Sequence, residues 1–555
     1  MTAVPRLDAY HFYEREFESY DELVDSFEWD VPDRFNVATY VCDRWAGDGR
    51  TALRYEAADG TTDAYTYGEL RDATNRLANY LEAGGVERGD RVGINAPQRP
   101  ETVITHLACW KLGAVSVPLS TLFGPDAIAY RLEDAGAVAA VVDESNVDDF
   151  RAARDSLSAL ETTLLVGDVE PDAEERRFWP SIDDRSTAFD VADTAAEDDL
   201  VLIYTSGTTG DPKGVRHVHR TILGHLPLFV TTFGNMDLRD GDVYWTPAEW
   251  AWIAALFDVV FPAMYYGREA VAYNGGSFDP RTAFRILAEY DVTNFFAPPT
   301  ALRMMMQVEA PRADVGSLRT IAAGGEALGE SIVEWAVDVF DGVAVHEGYG
   351  QTEANMLAGD CTALTEFREG MVGPAGPGHE IAIVDPRTAE ATVPTGDVGE
   401  IAVRYEKDPV CFAGYWNKPD RTDAKVRNGW LLTEDLGWMD EDGYLAFESR
   451  KDDVIISAGY RIGPTEIEEC LASHESVADA GVIGIPDEER GEVPKAFVKA
   501  AAGVNPDEGL RAELRSHVRS RLAQYEYPRE IEFLEELPKT STGKVRRASL
   551  EERFE

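Results

Sequence analysis

The chain has 555 residues, 44% apolar and 10% aromatic, so it is too long for one core and too apolar to stay disordered. Lys and Arg total 52 against 101 Asp and Glu, and a net charge of −49 repels nucleic acid and anionic membrane surfaces. Five scattered cysteines without a CxxC pair argue against a disulfide frame or a zinc site and fit a reduced cytoplasm; no apolar run reaches the roughly 20 residues of a membrane span, and the start MTAVPRLDAYHFYEREF does not read as a secretory signal. In chain order, TYGELRDATNRLANYLEAGG from Thr66 predicts an amphipathic helix, and DRVGINA from Asp90 and AVAAVVDE from Ala137 predict buried strands. The stretch Val166 to Asp199 is acidic and weakly periodic and reads as surface loops. DLVLIYTSG from Asp199 and VAVHEGYG from Val343 predict further buried strands. This alternation predicts an α/β protein of layered, mainly parallel sheets. Farther on, TEDLGWMDEDGYLAFESRKDD from Thr433 predicts short strands around an Asp-Gly turn, and GPTEIEECLASH from Gly463 a helix with Thr465 and Glu468 at capping-box spacing. The expected organisation is a large N-terminal domain, residues 1–451, and a small C-terminal α+β domain, residues 452–555, on a hinge.

The stretch that points to chemistry is YTSGTTGDPKGVRH, Tyr204 to His217. Its glycines permit close backbone approach, its hydroxyls and N–H groups suit phosphate oxygens, and Lys213 adds a cation. It is not the Gly-x4-Gly-Lys-Ser/Thr loop, because Pro212 stands directly before Lys213. Taken alone, such a segment reads equally well as a mobile surface loop. Lysine is scarce here, ten residues in the whole chain, so one inside this loop is informative.

Five more motifs follow in order: AAGGEAL from Ala322, HEGYGQTEANM from His346, LLTEDLG with Asp435, ESRKDDVIISAGYRIGPTEIE from Glu448, and LPKTSTGKVRR from Leu537. Together the six resemble the acyl-adenylate-forming superfamily, from about Thr66 to Arg547, and SAGYRIGP and RGEVPKAF look most like its medium-chain acyl-CoA synthetases. The resemblance implies a two-step reaction: a carboxylate attacks the α-phosphate of ATP, releasing pyrophosphate, and coenzyme A then displaces AMP. It also implies roles. Thr205, Ser206, Gly207, Thr208, Thr209, Gly210 and Lys213 hold the β- and γ-phosphates. Thr352 bonds the α-phosphate and Glu353 carries Mg²⁺. Gly324, Gly325, Glu326 and Ala327 on one side and Glu347, Gly348 and Tyr349 on the other enclose adenine, with Gly350 and Gln351 adjoining. Asp435 and Arg450 take the ribose hydroxyls. Asp452 is the hinge, Ala458, Gly459 and Tyr460 form the pantetheine wall, and Arg490 and Arg519 meet coenzyme A. Lys544 is the mobile lysine of the adenylation step. Trp250 gates the acyl site, Arg461 adjoins it, and Gly350 stands where acetate-specific relatives place a tryptophan, leaving room for several methylenes. Met304 to Met306 read as a pliable lining or as packing.

Several residues keep a second reading. The family usually has glycine where Glu434 and Ser449 stand, which puts the backbone beside the ribose ligands in question. Arg461, Arg490 and Arg519 also read as halves of surface ion pairs. The island Pro538 to Arg547 carries Lys539, Lys544, Arg546 and Arg547 and no acid; polyphosphate binding is one reason for it, and a random terminal cluster, which the TSTGK match disfavours, is the other reading. The expected substrate is a medium-chain or branched short-chain fatty acid. The alternatives are acetate or propionate, or the same adenylation serving a carrier protein, which SAGYR and the lack of a carrier module disfavour. A luciferase-like oxygenase and a non-catalytic nucleotide-binding protein are further alternatives; Lys213, Glu353 and Lys544 together argue against the latter. Partners are small molecules only, and the chain is expected to be a monomer or small homo-oligomer. The acidic, arginine-rich composition resembles that of proteins from salt-loving archaea, where ionic screening makes such a surface tolerable.

Overall fold

The computed structural model describes residues 4–205, 211–308, 315–391, 393–406, 408–451, 453–457, 460–487, 490–522, 527–540 and 544–554. Ser206 to Gly210, Asp452, Ala458 and Gly459 lie outside them.

Two mostly parallel sheets dominate. One has seven strands, ordered Glu175–Arg177, Thr162–Val166, Ala137–Asp143, Arg91–Asn95, Val115–Pro118, Asp199–Thr205 and Lys213–Val218. Every pair in it is parallel except the last. Its central strands are aliphatic runs, and Leu200 to Tyr204 are buried on both faces, as a strand covered by helices on each side requires. The other has eight strands, from Ala354–Gly359 at one edge through Ala344–Gln351, Thr320–Gly324, Asn294–Phe296, Val243–Trp245, Glu269–Asn274 and Thr51–Ala57 to Thr62–Thr66. Antiparallel pairs occur only at its two edges. The helix Tyr67–Ala83 forms where expected. Thr66 and Glu69 close a reciprocal capping box, and Leu70, Leu77 and Leu81 bury one stripe.

A third, antiparallel sheet contains Trp430–Met439 and Tyr444–Arg450, paired across the Asp442-Gly443 turn. The fourth is built after residue 454 from Ile455–Ser457, Tyr460–Ile462, Val477–Asp487, Gly491–Ala500 and Glu530–Phe533, and the helices Pro464–Ala472 and Glu508–Arg521 help bury its apolar face.

Two local expectations are corrected. Residues between Val166 and Asp199 are not all surface loop. Glu175–Arg177 adds an edge strand, and the helix Phe178–Ile182 buries Phe178 and Ile182. The helix Pro464–Ala472 has Gly463 as its N-cap and no side-chain cap. Glu468 instead accepts from the Val482 amide at 2.7 Å and from Arg547 at 2.7 Å, so tertiary partners take the carboxylate that capping needed.

Candidate active site

Thr205 ends one strand and pairs directly with Lys213, which begins the antiparallel neighbour; Ser206 to Gly210 between them lie outside the described residues. Lys213 points its ammonium over the Tyr415 ring, 4.7 Å from the centroid. The Tyr415 hydroxyl donates to Glu353 Oε1 at 2.5 Å. Burial, and then the Glu353 carboxylate, push the Tyr415 phenol far above its usual range, so it remains a donor. Burial lowers the Lys213 ammonium from its ordinary value, while Glu353 and Glu434 pull it back up.

The strand Ala344–Gln351 carries Glu347, Gly348, Tyr349, Gly350 and Gln351 to the same region. Gly348 lies opposite Gly324 in the neighbouring strand. A β-carbon on Gly324 would meet the Gly348 carbonyl at 2.7 Å, so glycine is what lets these strands approach. Tyr349 donates to Asp435 Oδ2 at 2.7 Å, and Gln351 Nε2 donates to the Thr433 carbonyl at 2.7 Å and to Asp435 at 3.3 Å. Arg450 is the registered cross-strand partner of Asp435 and donates to its Oδ1 at 3.0 Å. Glu326 is held by Thr300 and by Arg303 at 2.6 Å. Thr352 and Glu353 form the turn that follows, and the Glu353 carbonyl accepts from the Phe412 amide at 2.8 Å.

The C-terminal segment closes over this group. A β-carbon built on Gly325, whose φ is +88°, would lie 3.5 Å from Lys544 Cε and 3.8 Å from its Nζ. The lysine still opens to solvent in the cleft, yet the protein around it lowers its ammonium from the ordinary value, against the pull of Glu326 and Asp435. Burial, and then Glu469 of the helix Pro464–Ala472, push the Glu347 carboxyl up to about 8.

Among the described residues, no three His, Cys, Asp or Glu side chains gather into a metal cage. Magnesium is commonly held by one or two carboxylates together with substrate phosphates and water. Glu353, only 8% exposed, fits an ion that arrives with the nucleotide rather than a resident metal.

Other expected site residues fare differently. A β-carbon on Gly350 would lie 2.3 Å from the Met356 amide nitrogen, so this glycine faces the backbone of the next strand and a side chain here would force that strand to shift. Trp250 is 1% exposed and packed in the main core. Of the methionines, Met305 is buried in a second core and Met306 packs against it, while Met304 is exposed. Two of the four basic residues near the terminus serve the small sheet domain itself: Lys539 pairs with Asp479 at 2.6 Å, and Arg547 with Asp453 and Glu468 at 2.6 and 2.7 Å. The Arg519 guanidinium lies 5.3 Å from the Tyr527 ring centroid, and the Arg490 amide donates to Asp487. Tyr460 and Arg461 lie in the strand Tyr460–Ile462.

Sequence reading missed Tyr415 and Lys425. Tyr415 sits outside the six motifs, and nothing in its neighbours announced it. Lys425 had a signal, the scarcity of lysine that singled out Lys213. Its side chain is 4% exposed and its ammonium lies 3.0 Å from Glu434 Oε2.

Comparison with known proteins identifies the family. The AMP-binding enzyme family model matches residues 42–416, and the model of the AMP-binding enzyme C-terminal domain matches 466–544. The chain is 32% identical to the acyl-coenzyme A synthetase ACSM3, mitochondrial, of Mus musculus, over 96% of this chain and 93% of that protein. It is 33% identical to the acetyl-coenzyme A synthetase of Bacillus subtilis, over 99% and 97% respectively. The crystal structure of the anthranilate CoA ligase AuaEII with anthranoyl-AMP superposes with a TM-score of 0.87 at 28% identity, covering 94% of this chain and 98% of that one. With both family models matched in order and relatives aligned along nearly the whole chain, this protein belongs to the AMP-binding enzyme family, among its acyl-CoA synthetase ligases.

Proposed function

We propose that the chain activates a medium-chain or branched short-chain fatty acid with ATP, forming acyl-AMP and pyrophosphate, and then passes the acyl group to coenzyme A with release of AMP. The observation that supports this reading most is the approach of Lys544 to Gly325, within electrostatic reach of Asp435 and Arg450. In the first step two anions meet, and Lys544 with Lys213 offsets the charge that grows between the carboxylate and the phosphates. Asp435 accepts from the ribose hydroxyls while Arg450 and Tyr349 hold its carboxylate still. Thr352 bonds the α-phosphate. Glu353 holds Mg²⁺, which supplies further neutralisation of phosphate charge when bound. Gly324 to Ala327 and Glu347 to Tyr349 enclose adenine.

In the second step, residues 452–555 turn as a unit about Asp452 and bring Ala458 to Tyr460 to the cleft, where Arg490 and Arg519 meet coenzyme A. A leaving group held by the segment between two antiparallel strands is released more readily than one held by a helix N-terminus.

A second reading, activation of acetate or propionate, is favoured by the backbone packed against Gly350. We assign the chain to the cytoplasm of a salt-loving organism on its cysteine usage and charge; no helix among the described residues is long and apolar enough to cross a membrane. The test is a panel of acids from acetate to decanoate in high potassium chloride. AMP and pyrophosphate must both appear, and AMP release must require acid and coenzyme A together. AMP release without coenzyme A, or without any acid, overturns the proposal.

A further inference from the structure

Glu434 adopts φ +63°, a left-handed conformation that side-chain-bearing residues avoid and glycine takes freely. A strained backbone beside a binding group persists where the surroundings impose it, and here the side chain has a partner that explains the strain. Lys425 closes the helix Pro419–Lys425 with its side chain only 4% exposed. A buried ammonium requires a counter-charge. Glu434 Oε2 lies 3.0 Å from Lys425 Nζ and 3.5 Å from Arg450 Nη2. The next residue, Asp435, takes the other arm of the same guanidinium at 3.0 Å. Arg450 therefore bridges two adjacent carboxylates, and the outer one also neutralises the lysine.

We infer that Glu434 is a positioning residue: by neutralising the buried Lys425 and steadying Arg450, it keeps the Asp435 carboxylate free to accept from the nucleotide's sugar. Without the Glu434 charge, the Lys425 ammonium keeps the Thr433 carbonyl at 3.4 Å, an oxygen that Gln351 and Arg450 also use. The carboxylate next along the chain is that of Asp435. The lysine then competes with the sugar for it. This inference rests on the proposed ribose role of Asp435.

The experiment is a cycle of Glu434→Gln, Lys425→Met and the double variant, with KM and kcat measured for ATP and for 2′-deoxy-ATP. Glu434→Gln is expected to raise KM for ATP about tenfold, more than kcat falls, the scale of one charge-assisted hydrogen bond. It should also shrink the preference for ATP over 2′-deoxy-ATP. On the Lys425→Met background the same substitution should change KM by less than about twofold, because the competing cation is gone. An unchanged KM in the single variant, or an equal loss on both backgrounds, overturns the inference. Should Glu434→Gln not fold alone, the Lys425→Met background still decides, since a tenfold rise there refutes the mechanism. Asp435→Ala separates the two readings. If it leaves sugar preference intact, the ribose role is wrong; if it abolishes preference while Glu434→Gln does not alter it, only the role of Glu434 is wrong.

Discussion

Replacing Tyr415 by Phe removes one oxygen from the centre of the site and little else. The tyrosine is 6% exposed and its ring packs edge-on against Phe412, 5.0 Å between centroids, a contact the phenyl ring retains. The cation–π contact with Lys213 is retained as well. What is lost is the 2.5 Å bond to Glu353, a buried carboxylate. A hydrogen bond to a charged group contributes about 1.5–3 kcal/mol, so the loss corresponds to about 10- to 100-fold in any step that needs Glu353 held in place. The expected outcome is a fall of that size in pyrophosphate release from ATP and acid, with thioester formation from preformed acyl-AMP and coenzyme A changed by less than about threefold. Tyr415→Leu, which also removes the ring under Lys213, should lose more. Isothermal or thermal-shift titration with Mg-ATP should show weakened binding. Equal rates for Tyr415→Phe and the parent, or equal losses in both half-reactions, would refute the reasoning. The first result would mean Glu353 does not depend on Tyr415, and the second that the hydroxyl serves the fold.

Three further outcomes are expected. Lys544→Ala should cut adenylation about 10²–10³-fold, the effect of removing one donor from developing charge, while sparing thioester formation from synthetic acyl-AMP; a parallel fall in both assays would place the lysine in domain docking instead. Thermal midpoints should be lower in 0.1 M than in 1 M salt, because the −49 charge repels itself over a Debye length of about 10 Å rather than about 3 Å, and an equal or higher midpoint at low salt would contradict this. Burial and Glu469 raise the Glu347 carboxyl from an ordinary glutamate value of 4.5 to about 8, so the folded chain keeps a proton that the unfolded chain releases; its contribution to stability is fully present below about 4.5, declines as pH rises and is gone above about 8. Melts of Glu347→Gln across that window should show a shallower decline than the parent, and identical slopes would rule out Glu347 as the source.

How far the sequence reached depended on the kind of interaction involved. Periodicity and capping are local, so Tyr67–Ala83, with its Thr66–Glu69 box, and the aliphatic strands Ala137–Asp143 and Asp199–Thr205 were legible directly. The motif order was legible too, because phosphate and ribose binding need particular side chains at fixed spacing. The same local rule misled at Thr465 and Glu468, where Arg547, 79 residues away, claims the carboxylate that a cap would have used. Glycine at position 350 was read as space, since a sequence records a missing side chain but not what stands against it; the Met356 amide of the neighbouring strand fills that place. Lys425 and Glu434 sit nine residues apart with no periodic relation, and Tyr415 and Glu353 are 62 apart. Only the folding of the antiparallel third sheet against the strand Ala344–Gln351 brings Asp435, Tyr349 and Arg450 together, because a buried charge is paired by whatever the tertiary structure places within about 3 Å of it, and chain order carries no record of that distance.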